Sequence, residues 1–208
     1  PVSAAPVLLA PSIDAIINDR TPSLDWSIVE ATTIPITGYE IQVSKDTVFS
    51  SIVQSETTEN LPPYVLPELM DGLYYWRVRA INALDAPGVW SAVASFRVDS
   101  TPVKPPPYYS PASGATTTTT LPKLSVKRVS GAVSYRFQVA TTPTFTESLL
   151  LDKLVIPGLT YAGYAPTTGD AVPFGTVYWR AATVDPAGNE AWGESRALVV
   201  NILKTPNH

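Results

Sequence analysis

Apolar and polar residues alternate along several short stretches of the chain, with a period of two. The clearest cases are residues 39–44, 74–80, 135–140 and 177–183. This alternation places apolar side chains on one face and polar side chains on the other, as in a half-buried antiparallel strand. No stretch has the 3.6-residue period of an amphipathic helix. Proline and glycine separate the stretches, so the pattern predicts short strands packed as a β-sandwich.

The same pattern occurs twice along the chain. Thr37–Ser44 is similar to Val133–Ala140, which lies 96 positions later, and Tyr74–Ala80 is similar to Val177–Thr183. Two further pairs follow in the same order, namely Trp90 with Trp192, and Leu24-Asp25-Trp26 with Leu124-Ser125-Val126. A repeat of about 100 residues fits one small all-β domain and is too long for a solenoid unit.

The repeat predicts two modules, one in residues 1–100 and the other in residues 108–208. Between them, residues 101–107 contain four prolines. We predict that they form a semi-rigid linker in a polyproline II conformation. Residues 1–6 and 205–208 are similar in composition to this linker, so we expect the chain to be a segment of a longer array.

The apolar half of each alternating stretch is predicted to form the core, because strand register decides which face is buried. The largest predicted core side chains are Trp26, Tyr39, Tyr74, Trp76, Tyr135 and Trp179. The outward half carries arginines. We expect Trp90 to lie flat over Arg77 or Arg79 as a cation–π pair. Trp192 over Arg180 is the matching pair in the second module.

At these positions the chain resembles tandem fibronectin type III-like domains of bacterial cell-surface and secreted proteins. The resemblance includes Trp26 in a second strand, Tyr39 in a third strand and Tyr74 as a corner tyrosine. It implies an all-β fold of two immunoglobulin-like β-sandwiches, in which the Tyr74 hydroxyl bonds nearby backbone. The second module departs from the pattern, since Val126 and Val177 replace the tryptophan and the corner tyrosine.

Composition and charge exclude several classes of function. The net charge is −4 and the 14 basic residues are scattered, which argues against a nucleic-acid partner. The chain has no cysteine, so disulfides and thiol chemistry are excluded. No apolar run reaches the ~20 residues of a membrane span, so membrane insertion is not expected. Charged residues make up only 15% of the chain, which favours an extracellular or cell-surface location.

The sequence has few candidates for catalysis or metal binding. Its one histidine, His208, lies in the terminal tail, and we predict neither enzymatic activity nor a cofactor. Calcium is the only metal that the side-chain oxygens could bind, through Asp71, Asp99 and Asp185. Hydrogen bonding of these aspartates to their own turns is the favoured alternative.

Two other features have both a functional and a structural interpretation. Tyr75 and Tyr178 point outward and could contact a glycan, although single surface aromatics are common and this simpler interpretation is favoured. The run Thr116–Thr120 is either an exposed strand or a site of O-glycosylation.

We therefore predict a non-catalytic structural or spacer segment of a larger bacterial surface or secreted protein. Its expected partners are neighbouring domains of the same polypeptide and other copies of itself, and assembly into a filament or surface layer is one form of this role. Two alternatives stay open. One is an adhesion or recognition module that binds glycan or protein through an exposed sheet or loops, and the other is a pair of accessory domains of a secreted hydrolase.

Overall fold

The chain forms two compact units, unit 1 (residues 1–100) and unit 2 (residues 101–208). Both are all-β, and the only helical element in the described part of the chain is a 3₁₀ turn at Thr168–Asp170. No helix there is long and apolar enough to span a membrane. The structure, a computed structural model, describes residues 4–30, 33–59, 61–147 and 149–201.

Unit 1 is a sandwich of a three-stranded and a five-stranded sheet. The small sheet has the order β1-β3-β6, and the large sheet has the order β2-β8-β7-β4-β5. Neighbouring strands are antiparallel except β2 and β8. The strands are β1 Leu8–Ala10, β2 Ala15–Ile17, β3 Ser23–Trp26, β4 Ile36–Ser44, β5 Ile52–Thr58, β6 Tyr64–Val65, β7 Gly72–Asn82 and β8 Ala94–Val98.

Unit 2 repeats this topology. Its small sheet has the order β14-β11-β9, and its large sheet has the order β10-β17-β15-β12-β13, with β16 paired to β15. Only β10 and β17 are parallel. The strands are β9 Tyr108–Ser110, β10 Ala115–Thr117, β11 Leu124–Lys127, β12 Ser134–Ala140, β13 Leu151–Val155, β14 Tyr161–Tyr164, β15 Gly175–Val184, β16 Glu190–Trp192 and β17 Arg196–Val200.

Each unit has its core between its two sheets. Burial along β7 alternates over Tyr74–Ala80 as the sequence pattern does, with inward residues buried and outward residues half-exposed. The six large side chains of the predicted core have at most 2% of their surface exposed: Trp26, Tyr39, Tyr74, Trp76, Tyr135 and Trp179.

The hydroxyls of the buried tyrosines are hydrogen-bonded to backbone. Tyr74 donates to the carbonyl oxygen of Met70 over 2.7 Å. The Tyr39 hydroxyl accepts from the amide of Val29. In unit 2 the Tyr135 hydroxyl accepts from Val129 over 2.6 Å. Each ring therefore contributes apolar area to the core and leaves no unpaired hydroxyl there.

Residues 103–107, which the sequence predicts as a linker, have contacts of their own with unit 2. Val103 packs against the unit 2 core. The carbonyl of Lys104 accepts a hydrogen bond from Thr183, and the carbonyl of Pro107 accepts one from Lys127. Proline lacks an amide donor, yet its carbonyl still pairs, so a proline-rich segment can lie along a strand.

The two units use different side chains to accept a hydrogen bond from the same amide of the central strand. The amide of Val78 in β7 donates to the Ser91 hydroxyl over 3.0 Å. The corresponding amide in β15, that of Ala181, donates instead to the Tyr108 hydroxyl over 3.3 Å. Tyr108 stands where unit 1 has Leu8.

The tyrosine in unit 2 requires a glycine beside it. A Cβ on Gly193 would lie 2.7 Å from the Tyr108 ring, which also packs edge-on against Trp179 at 4.9 Å. Gly193 is the counterpart of Ser91 in unit 1, because their amides donate to Ala181 and Val78 respectively. The pair Tyr108 and Gly193 thus replaces the pair Leu8 and Ser91.

This exchange predicts coupling between the two positions. Gly193→Ser alone should destabilise unit 2 by about 1–3 kcal/mol, because the new side chain collides with the Tyr108 ring. Combined with Tyr108→Leu it recreates the arrangement of unit 1. In urea unfolding, we expect the double variant to be more stable than the sum of the single effects by about 0.5–3 kcal/mol. Strictly additive effects would contradict this interpretation.

Candidate functional site

The most distinctive polar cluster of unit 1 lies on the outer face of its large sheet and is centred on Arg77. The guanidinium group is sandwiched between two rings, 4.0 Å from the centroid of Phe49 and 4.2 Å from that of Trp90. Its Nε and Nη2 both donate to Oε1 of Gln42, over 3.0 and 2.7 Å. We call this group of four residues an arginine clamp.

Unit 2 contains the same clamp around Arg180. Phe145 and Trp192 lie 4.3 and 4.2 Å from the guanidinium carbon, on the positions that correspond to Phe49 and Trp90. Nε and Nη2 of Arg180 donate to Oε1 of Gln138 over 2.9 and 2.8 Å. Two copies with the same four residue types show that the arrangement belongs to the module.

An ion pair lies beside each clamp, but different residues form it in the two units. In unit 1, Arg79 lies 4.4 Å from the Trp90 ring and forms an ion pair with Glu40. Burial, and then the charge of Arg79, lower the pKa of Arg77 from its ordinary value. Trp90 therefore lies over both of the arginines that the sequence singles out.

In unit 2 the arginine beside the clamp lies on the neighbouring strand. Arg136 on β12, the counterpart of Glu40, forms ion pairs with Asp152 and Glu190 over 2.6 and 2.9 Å. These hydrogen bonds raise the pKa of Arg136 and lower that of Asp152. The Trp192 indole is fixed by donating to Glu190 over 3.1 Å. The clamp is thus retained while the charges beside it are rearranged.

The phenylalanines of the clamps have an unusual backbone conformation. Phe49 has φ 59° and Phe145 has φ 56°, in the left-handed region that bulky residues rarely adopt. Such a conformation costs about 1–3 kcal/mol unless its surroundings enforce it. Contact with the guanidinium group is one stabilising factor in both units.

In unit 1 a carboxylate also fixes the loop that carries Phe49. Asp46 accepts hydrogen bonds from the amides of Val48, Ser50 and Ser51, over 2.8 to 3.1 Å. The hydrogen bond from the Ser50 amide is the largest cause that lowers the pKa of Asp46, to about 2.

Sequence periodicity identified Arg77, Trp90, Arg180 and Trp192, but it did not identify the glutamines or the phenylalanines. The phenylalanines lie in loops where no period applies. A signal was nevertheless present, because each phenylalanine follows the last inward valine of its strand by six positions, at Val43 and Val139.

The clamps offer no group for chemistry. In both, two of the guanidinium nitrogens are bonded to glutamine and both faces of the guanidinium are covered by rings. Neither clamp contains a nucleophile or a general base. The geometry of each clamp is suited to holding side chains together on the surface of the sheet.

The carboxylates of Asp71 and Asp185, which were considered as calcium ligands, are hydrogen-bonded within their own units. Asp71 accepts from the amide and hydroxyl of Ser100, over 3.1 and 2.7 Å. Asp185 accepts from the amides of Ala187 and Asn189 in its own turn. The amide of Asp99 donates to Ile17. Among the described residues, no group of three or more histidines, aspartates or glutamates could hold a metal ion. His208 lies outside those residues.

The other candidates are on outer surfaces. Tyr75 and Tyr178 are half-buried on the outer faces of β7 and β15. Thr116 and Thr117 belong to β10, the edge strand beside β17, and Thr118–Thr120 continue beyond it. Apart from Thr117 and Thr120, which are half-buried, this threonine run is exposed.

The topology and the repeated core place both units among the immunoglobulin-like β-sandwiches, and both are fibronectin type III-like. Residues 14–99 match the family model described as the Rha78A-like, N-terminal immunoglobulin domain. A comparison with curated proteins found no significant match.

Solved structures show the same fold. The fibronectin(III)-like modules of Clostridium thermocellum CbhA align with 98% of this chain and 98% of their own length, with 13% identity and a TM-score of 0.59. The FN1-FN3 domains of chicken CNTN1 align with 97% of this chain and 68% of their own length, with 14% identity and a TM-score of 0.65. At these identities the similarities show a shared fold.

The clamp predicts energetic coupling between its ring and its guanidinium group. A double-mutant cycle with Arg77→Ala and Trp90→Ala should give a coupling energy of about 0.5–2 kcal/mol in urea unfolding. The matched control pairs Arg77→Ala with Trp192→Ala in the other unit, where coupling should be close to zero. Equal coupling in the two cycles would show that the measured energy does not come from stacking.

The low pKa of Asp46 predicts a loss of stability in acid. Because the pKa is lower in the folded than in the unfolded chain, the carboxylate stabilises unit 1 fully above about pH 4 and ceases to do so as the pH falls towards 2. Asp46→Asn should reduce the free energy of unfolding at pH 7, and the variant and the wild type should become equally stable near pH 2. A difference that stays constant from pH 7 to 2 in urea unfolding would refute this role.

Proposed function

We propose that the chain is a non-catalytic, two-module segment that spaces or holds the neighbouring parts of a larger extracellular protein. The observation that carries the proposal is that the polar cluster shared by both units, the arginine clamp, uses its groups internally. A repeated cluster of this kind stabilises each module, and its stacked and hydrogen-bonded groups are not offered to a substrate.

The comparisons support this proposal at the level of the fold. The fibronectin(III)-like modules of CbhA and the FN1-FN3 domains of CNTN1 have the same fold. The low fraction of charged residues, 15%, supports a bacterial surface or secreted protein. We accordingly propose an extracellular or cell-surface location.

A spacer built from modules requires that each module folds by itself. In calorimetry of the full chain, Trp76→Ala should lower the melting temperature of one transition, and Trp179→Ala that of the other. Each substitution removes a fully buried side chain and should cost about 3–5 kcal/mol. If both substitutions shift one common transition, the units do not fold as independent modules and the proposal fails.

A spacer should also stay monomeric. We expect sedimentation velocity to give the mass of one chain, 22.3 kDa, over a wide range of protein concentrations. A mass that rises with concentration would favour assembly into a filament or layer over spacing.

A further inference from the structure

Acidic and basic residues are divided unevenly between the two units. Unit 1 contains 12 acidic and 5 basic residues, whereas unit 2 contains 6 acidic and 9 basic residues. Their net charges are therefore −7 and +3. The stretch from Thr101 to Thr146 contains no aspartate or glutamate. Unit 2 is thus a basic module within an acidic chain.

Part of this positive charge lies on β11 and directly next to its two ends, and Lys127 pairs in register with Tyr161, one of two exposed aromatic rings of the small sheet. Tyr109 on β9 and Tyr161 on β14 contact each other across β11, with ring centroids 4.3 Å apart and planes tilted by 35°. They are 55% and 38% exposed. We call the surface formed by these two tyrosines with Lys123, Lys127 and Arg128 the aromatic–basic face.

The cations of this face are not neutralised locally. Lys123, Lys127 and Arg128 are exposed. No carboxylate pairs with any of them in the described part of the chain, and Arg128 bonds only a carbonyl, that of Leu159 over 3.3 Å. The strands and flanking segments that form the face, residues 104–130 and 156–167, contain no acidic residue.

The fold itself does not require this face. Unit 1 has the same small sheet, and the registers of β3 and β11 align their positions. The corresponding residues in unit 1 are Leu9, Ser23, Ser27, Ile28 and Leu61. None is aromatic or basic, so the aromatic and basic side chains are a property of unit 2 alone.

We propose that the aromatic–basic face binds an anionic polysaccharide. The negative faces of the tyrosine rings attract the C–H groups of a pyranose ring. Lys127 and Arg128 would pair with carboxylate or sulfate groups along the same chain, and the guanidinium fork suits a carboxylate best. An exposed pair of touching aromatic rings with cations nearby complements both the C–H groups and the negative charge of such a ligand. This proposal does not depend on the spacer role.

Two other anionic partners fit this surface less well. Three cations release few counterions from a nucleic acid, so binding would be weak at physiological salt. The acidic unit 1 of a second copy is the other partner, but attraction between the two net charges gives no reason for the exposed tyrosine pair. Both are included as outcomes of the test.

The probe is polygalacturonate, and its methyl-esterified form is the uncharged control. In affinity electrophoresis or calorimetry at low salt, the 208-residue chain should bind polygalacturonate and bind the methyl ester at least about tenfold more weakly. Dextran sulfate, which carries sulfates in place of carboxylates, shows which anionic group is preferred.

Substitutions separate the contribution of the tyrosine rings to binding from that of the positive charges. Tyr109→Ala or Tyr161→Ala should each weaken binding about two- to tenfold, whereas the corresponding phenylalanine variants should keep most of it. Lys127→Ala should weaken binding several-fold, with a smaller effect in high salt. Leu9→Ala, the matched control in unit 1, should leave binding unchanged, and the melting temperature of each variant verifies folding.

Four results would overturn the proposal. Binding that is unaffected by loss of either tyrosine, or equal for single-stranded nucleic acid and polygalacturonate, would indicate non-specific attraction between charges. No binding of any anionic polysaccharide by the folded wild-type protein would refute the site itself. Self-association that is lost in Lys127→Ala would identify a second copy as the partner.

Discussion

The register of one central strand in each unit determines most of the structure. β7 and β15 each place a tryptophan inward and an arginine at the next position outward. The inward indoles of Trp76 and Trp179 are fully buried between the sheets. The outward guanidinium groups of Arg77 and Arg180 form the centres of the clamps. Core and surface are thus fixed together, because a shift of one residue would exchange the two faces.

Comparison of the two units separates what the fold needs from what each copy adds. Both retain the buried tryptophan on the central strand and the clamp of arginine, glutamine, phenylalanine and tryptophan. They differ in how the amide of Val78 or Ala181 is satisfied, and in which strand carries the charged residue beside the clamp. The outer face of the small sheet differs most. That face is therefore where we expect a function that is specific to one unit.

Periodicity in the sequence was sufficient to predict the all-β class, the repeat and the side of each strand that carries the large residues. It could not predict Phe49 and Phe145, because a left-handed loop has no period, nor the contact of Tyr108 with Gly193, which are 85 positions apart. Summing charge over the whole chain also concealed the basic character of unit 2. These features depend on tertiary contacts, or on counting by unit, and not on local pattern.

Hydrogen exchange of the indole Nε1–H groups, observed by NMR, tests the central claim about register most directly. The account predicts three slowly exchanging indoles, Trp26, Trp76 and Trp179, each with at most 1% of its surface exposed. Trp90 and Trp192, on the outer faces, should exchange faster. Rapid exchange at Trp76 or Trp179 in the folded protein would contradict the account, because the central strands would then present their other face to the core.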